Sequence, residues 1–218
     1  MNWENNSLSA RVYHILEDAI LSGKYKPDEE LKEKVIGEEL GVSRTPVREA
    51  LRQLELQGLI RITPNKGAQV VGIDRKDMFD ILEIRSMLEG LCAYKAALFA
   101  TPEQVSQLDE IVYLTDFHIK KQRMEQIYEE DNRFHETLYA ASGSKILEHL
   151  LSNFHHYLQR VRKVTLKEPE RAEKSNEEHR RIVEAIECKD AEKARDLANQ
   201  HIMNTITNIE AVGWDEVV

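Results

Sequence analysis

Apolar residues recur at helical spacing through most of this chain; two-residue alternation is confined to a short stretch near residues 59–72. Leu8, Val12, Ile15, Leu16, Ala19 and Ile20 make one stripe of a first helix. Residues 31–42 read as a short helix that turns Val35, Ile36 and Leu40 inward and stops at Gly41. A third helix follows at once, with Val47, Ala50, Leu51 and Leu54 on one side, and Gly58 stops it. Residues 59–62 and 69–72 read as two strands around the turn from Thr63 to Gly67. Helix, glycine turn, helix and hairpin together describe a winged helix-turn-helix.

Beyond Asp74 the strand pattern disappears. Met78, Ile81, Leu82, Ile84, Leu88, Leu91, Ala96 and Leu98 place one long helix over 75–99. Thr101-Pro102-Glu103-Gln104 starts a second, with a capping residue, proline in the first turn and glutamine three positions on. Further helices are expected over 124–141, 144–165, 169–188 and 190–209. Six helices, or seven if one is divided, with short connections make an antiparallel all-α bundle. The expected fold is mainly α, with a DNA-binding domain over 1–73 and a helical domain over 74–218.

The polar side of the third helix changes the picture. Arg44, Arg48 and Arg52 recur every four residues, so their guanidinium groups share a face opposite the apolar one. Ser43 precedes them as an expected N-cap, and Thr45 and Pro46 fall in the first turn. Such a helix suits the major groove of DNA, although spacing alone describes a solvated surface helix equally well.

The run SRTPVREALRQLELQGLI, followed by NKGAQV, resembles the winged helix-turn-helix of the GntR superfamily of bacterial transcription regulators, over roughly residues 8–73. The resemblance implies that Arg44, Arg48 and Arg52, with Thr45 among them, meet double-stranded operator DNA, and that Lys66 and Gly67 of the wing reach the minor groove.

Net charge is −9 over 218 residues, which argues against a non-specific nucleic-acid coat. Its distribution matters more, because residues 43–67 carry five basic and two acidic side chains. A local basic patch on an acidic body favours specific sites over sliding contacts. Cys92 and Cys188 show no ligand or ladder spacing and are expected to be buried thiols in a reducing compartment. The polar start of the chain lacks a signal-peptide pattern, and no 18-residue apolar run marks a membrane span, so a cytoplasmic protein is expected.

A second constellation lies in the helical region. Asp131 and His135 are four residues apart on one helix face, while His179 and His201 fall on the last two helices. Three imidazoles and a carboxylate suit a divalent ion, zinc or nickel first and manganese third. By spacing alone, Asp131 and His135 are an ordinary core or surface pair more often than a ligand pair. The phrases EIRSMLEGLCAYKAA, DNRFHETLYAASGS, EEHRRIVEAI and ARDLANQHI resemble the FCD effector-binding domain of FadR-like GntR regulators, over nearly all of 76–210. In its metal-containing members, the Asp and His of a D-x-x-x-H motif and two later histidines hold the ion; these match Asp131, His135, His179 and His201. The resemblance also implies a small carboxylate or sugar-acid effector beside the metal, paired with Arg85. The competing role for Arg85 is a salt bridge to Glu83 or Glu89.

The reading is a cytoplasmic, homodimeric, ligand-responsive transcription regulator, most simply a repressor. A metal-dependent enzyme with a DNA-tethering module is the rival. It needs a general base beside the metal, but Glu136 lies about 100° around the helix from His135 and there is no HExxH.

Overall fold

The computed structural model describes residues 7–63, 67–158, 161–162, 165–166 and 168–214. They form two compact units, Met1–Asp74 and Arg75–Val218.

In the first unit, α1 (Leu8–Leu21) packs on α3 (Arg44–Leu56), with α2 (Glu33–Leu40) between them in sequence. Val12, Leu16 and Ile20 meet Val47, Ala50, Leu51 and Leu54 in a core that excludes solvent. Leu8, Ile15 and Val35 do not join it and are nearly half exposed: the buried stripe is narrower than the apolar one. Gly41 closes α2 in the left-handed region at φ 65°, a conformation that costs most residues a clash at Cβ. Ser43 occupies the N-cap of α3, but its side chain makes no capping hydrogen bond.

The hairpin runs from β2 (Ile60–Thr63) to β3 (Gly67–Val70), pairing Thr63 with Gly67 and Ile60 with Val70. Its second strand begins two residues earlier than the pattern suggested, because Ala68 and Val70 set the buried side. A two-residue strand, β1 (Glu30–Leu31), pairs with the outer side of β3 and gives the order β1-β3-β2. It carries no alternation to betray it.

The second unit contains α4 (Arg75–Phe99), α5 (Pro102–Lys120), α6 (Met124–Ala141), α7 (Lys145–Tyr157), α8 (Pro169–Glu187) and α9 (Ala191–Val212). The chain is mainly α, as its periodicity indicates. The capping box of α5 is complete: the Gln104 amide N–H donates to Thr101 Oγ1 at 3.3 Å, and the Thr101 N–H to Gln104 Oε1 at 3.0 Å. Helix α7 ends at Tyr157 rather than near 165; residues 161, 162 and 165 are again helical. Cys92, Leu108, Phe134, Leu138, Tyr139, Ile182 and Ala198 form the centre of the core. Gly90 allows α4 to lie close against α9, since a Cβ there would stand 3.1 Å from the Arg195 carbonyl oxygen and collide with Asn199.

Three apolar residues of α4 face outward instead of inward: Ile84, Leu91 and Leu98, joined by Met87 at 71% exposure. Cys92 is buried, and burial pushes its thiol up to about 12. Cys188 is an exposed thiol at the C-cap of α8, where the chain leaves the helix and its core face together. No helix among the described residues is long and apolar enough to cross a membrane.

Candidate functional site

Arg44, Thr45, Arg48 and Arg52 all stand exposed along α3. The three arginines border a cleft whose far side is made by Glu30, Lys34 and Gly67. The geometry therefore brings the α3 arginines and the start of β3 to one surface. Lys66 lies outside the described residues. Arg48 is already engaged: its Nε and Nη2 donate to the two carboxylate oxygens of Glu33, both at 2.8 Å. That hydrogen-bonded pair lowers the Glu33 pKa and fixes the guanidinium plane. Neither Glu33 nor this pairing is evident from spacing, because the partners belong to different helices.

In the helical unit, His135 on α6, His179 on α8 and His201 on α9 converge, each offering a ligand atom within 4.8 Å of the others. All three are buried. Asp131, one turn before His135, lies at the edge of the group, with Oδ1 3.9 Å from His179 Nε2. Its other oxygen faces the Arg162 guanidinium at 3.6 Å.

Carboxylates behind the imidazoles orient them. His135 Nδ1 is 2.9 Å from Glu89 Oε2, and His201 Nδ1 is 2.6 Å from Glu178 Oε2. A carboxylate can only accept, so each Nδ1 carries a proton and each Nε2 is the ring atom left for the centre of the group. His201 Nε2 in turn lies 3.2 Å from His179 Nε2. His179 stacks on Phe134 with ring centroids 3.8 Å apart. Burial, then His201 and His135, push its pKa well below the ordinary value, so it is neutral. Converging imidazole nitrogens, two of the rings held by carboxylates, are the donor set that a borderline divalent cation takes up as it displaces the protons between them. The residues fit such an ion.

Arg85 is buried and pairs with Glu89 at 2.5 Å, the competing role expected from its position one turn away. Its Nη2 also donates to the Tyr139 hydroxyl at 3.3 Å, and that hydroxyl donates to Glu89 Oε1 at 2.6 Å. Burial raises the Tyr139 pKa, so the phenol stays protonated. For Arg85 itself, burial opposes the charge, but Glu89 and Tyr139 outweigh it and keep the guanidinium protonated. Its Nε has no hydrogen-bond partner.

Arg85, Asp131, His135, Arg162, Arg171 and His201 border one internal space of about 20 Å³, room for an ion or a water. Arg162 and Arg171 escaped notice in the sequence because nothing in their spacing ties them to the histidines. Glu178 precedes His179 directly, yet it serves His201 on the neighbouring helix.

Comparison with known proteins settles what kind of molecule carries these features. The FCD domain family matches residues 80–204, and the family of bacterial regulatory proteins called gntR matches residues 8–70. The chain belongs to the GntR family, with an FCD domain. It is 31% identical over 194 residues to the HTH-type transcriptional regulator YdhC of Bacillus subtilis, covering 88% of this chain and 85% of that one. With the gluconate operon transcriptional repressor of Bacillus subtilis it shares 29% identity over 189 residues, 84% of this chain and 77% of the other. The solved structure of McbR/YncC from E. coli has the same fold, with a TM-score of 0.73 at 24% identity, covering 95% of this chain and all of that one. This GntR-family chain is a DNA-binding transcription regulator and not an enzyme.

Proposed function

We propose that this regulator is a cytoplasmic homodimeric repressor, relieved or engaged by a small acid that binds beside a divalent metal ion. In this reading residues 1–73 bind operator DNA and residues 74–218 bind the effector and dimerise. Arg44, Thr45, Arg48, Arg52 and Gly67, with Lys66, form the DNA-reading face. Asp131, His135, His179 and His201 hold the ion, zinc or nickel before manganese, since imidazole-rich donors favour those metals. Arg85 pairs with the acid. The observation that carries the reading is the convergence of three buried histidines, two of them backed by carboxylates, beside a space that His135, His201 and a buried arginine border. The relative named for a gluconate operon agrees with a sugar acid as effector.

The ion would supply positive charge and a Lewis-acidic anchor for the acid's oxygens. A space of about 20 Å³ is far smaller than a site for an organic acid. An acid that needs more room than this would favour an arrangement of the helices other than this one. A ligand with such a preference can shift a DNA-binding equilibrium.

A thermal-shift screen of small carboxylic and sugar acids, on protein of measured metal content, tests the proposal. An acid at 100 times its Kd should add about 2.7 kcal/mol of stability. Arg85→Ala should abolish that gain while metal content holds at one ion per chain. Equal shifts in wild type and Arg85→Ala would remove Arg85 from the effector site.

The outward apolar residues of α4, at heptad-like spacing, support the dimer. Ile84, Met87, Leu91 and Leu98 on α4, and Ile146 and Leu150 on α7, are apolar side chains left in solvent. Met87→Glu with Leu91→Glu should give a folded monomer by light scattering, with operator affinity reduced at least tenfold. A dimer that persists in this variant would place the interface elsewhere.

A further inference from the structure

We propose that the acid bound in the helical unit carries two negative charges: a dicarboxylate or sugar diacid rather than a monocarboxylate. The inference rests on the reading of the histidine cluster as a metal and acid site.

Charge balance carries it. Arg85, Arg162 and Arg171 all border the space beside the histidines and are buried, with exposures of 2%, 4% and 9%. Each faces a carboxylate among the described residues: Glu89 at 2.5 Å, Asp131 at 3.6 Å and Glu178 at 3.4 Å, respectively. Among the described residues, three positive and three negative groups therefore cancel. Histidines coordinate only as neutral imidazoles. A divalent ion thus brings two uncompensated positive charges into a buried site, where an unmatched charge is strongly disfavoured. A monoanion removes one of them. A dianion closes the account.

The protein's own carboxylates are committed elsewhere. Glu89 also accepts from Tyr139 and His135, and Glu178 also accepts from His201 and from Asn204 Nδ2 at 2.9 Å. Asp131 is the carboxylate that both Arg162 and the ion would use. Meanwhile Arg85 Nε and Arg171 Nε are buried without hydrogen-bond partners among the described residues. Two such donors on different helices, α4 and α8, suit two separate carboxylates. One carboxylate would lie by the ion and Arg85, the other by Arg171. Ser175, which also lines the space, offers a hydroxyl to a hydroxylated skeleton, while the Thr205 hydroxyl is held between Arg171 and the His201 carbonyl.

The test uses the full chain loaded with zinc, its stoichiometry measured by mass spectrometry. Isothermal titration then compares acids that differ only in a second carboxylate: gluconate with glucarate, lactate with malate, butyrate with succinate. In the tightest-binding pair the diacid should bind at least tenfold more tightly than its monoacid. Arg171→Gln should bring that ratio close to one without changing zinc stoichiometry, and Arg171→Lys, which keeps the charge, should retain most of it. A monoacid that matches or exceeds its diacid in that pair would overturn the inference and leave the metal-and-acid site standing. An Arg171→Gln variant with an unchanged ratio would do the same, and zinc-loaded protein that binds none of the six acids would overturn both the inference and the acid site. A chain that takes up no zinc, nickel or manganese would instead defeat the underlying reading, and the charge argument with it.

Discussion

Replacing Arg48 with alanine should weaken operator binding by roughly 30-fold to more than 10⁴-fold. A base-reading arginine contributes about 1–3 kcal/mol, and a dimer on two half-sites loses that twice. Little of the effect should come from folding. The Arg48–Glu33 pair lies on the surface, with side chains 56% and 32% exposed, and such pairs contribute little to stability. Its value lies in holding the guanidinium in one plane before DNA arrives. Arg48→Ala also leaves the Glu33 carboxylate unpaired at the DNA-reading surface, where it repels phosphate. The double variant Arg48→Ala, Glu33→Gln should therefore recover part of the loss, and fluorescence anisotropy on a selected operator measures both. If Arg44→Ala and Arg48→Ala combined leave affinity unchanged, α3 is not the reading helix.

The second large effect belongs to the histidine cluster. His179→Ala should drop bound metal from one ion per chain to a trace, because it removes the ligand at the centre of the group, in contact distance of both His201 and Asp131. Stripping the metal from wild-type protein with a chelator should also lower stability. A ligand present at 1,000 times its Kd contributes about 4 kcal/mol, which in a protein of this size corresponds to roughly 8–16 °C in Tm. Glu178→Gln loosens the orientation of His201 and removes the ion pair with Arg171, so it should weaken metal binding by about 10–100-fold while the chain still folds. Differential scanning fluorimetry with metal analysis distinguishes the three proteins. Unchanged melting after chelation would mean that the cluster is an ordinary histidine core.

Much of the fold was legible because helices announce themselves locally. Thr101 and Gln104 mark the start of α5 within four residues, and Gly41 marks the end of α2 through its own backbone geometry. Where periodicity misled, the reason is that it cannot distinguish apolar surface turned to the chain's own core from apolar surface turned to solvent. Ile84, Leu91 and Leu98 belong to a helix with apolar residues on more than one side. Strand β1 is too short to carry a period at all.

The candidate site divides in the same way. His135, His179 and His201 were visible as residue types with ligand chemistry, and the fold brings them together. Glu89 was visible only as a neighbour of Arg85, and its bond to His135 depends on α4 and α6 lying side by side. Arg162 and Arg171 gain meaning only from the space they share, which no local pattern encodes. Arg85 shows both of the roles its position allowed: it is paired with Glu89 and still presents a buried Nε.

The central claim is that the helical unit controls the grip of the α3 arginines on DNA. It is tested most directly by operator affinity of the zinc-loaded protein, with and without a saturating amount of the acid that gives the largest thermal shift. The account predicts a change in Kd of at least fivefold, within the range usual for coupled sites, and no change in Arg85→Ala. An affinity that stays the same in wild-type protein at saturating acid would contradict it.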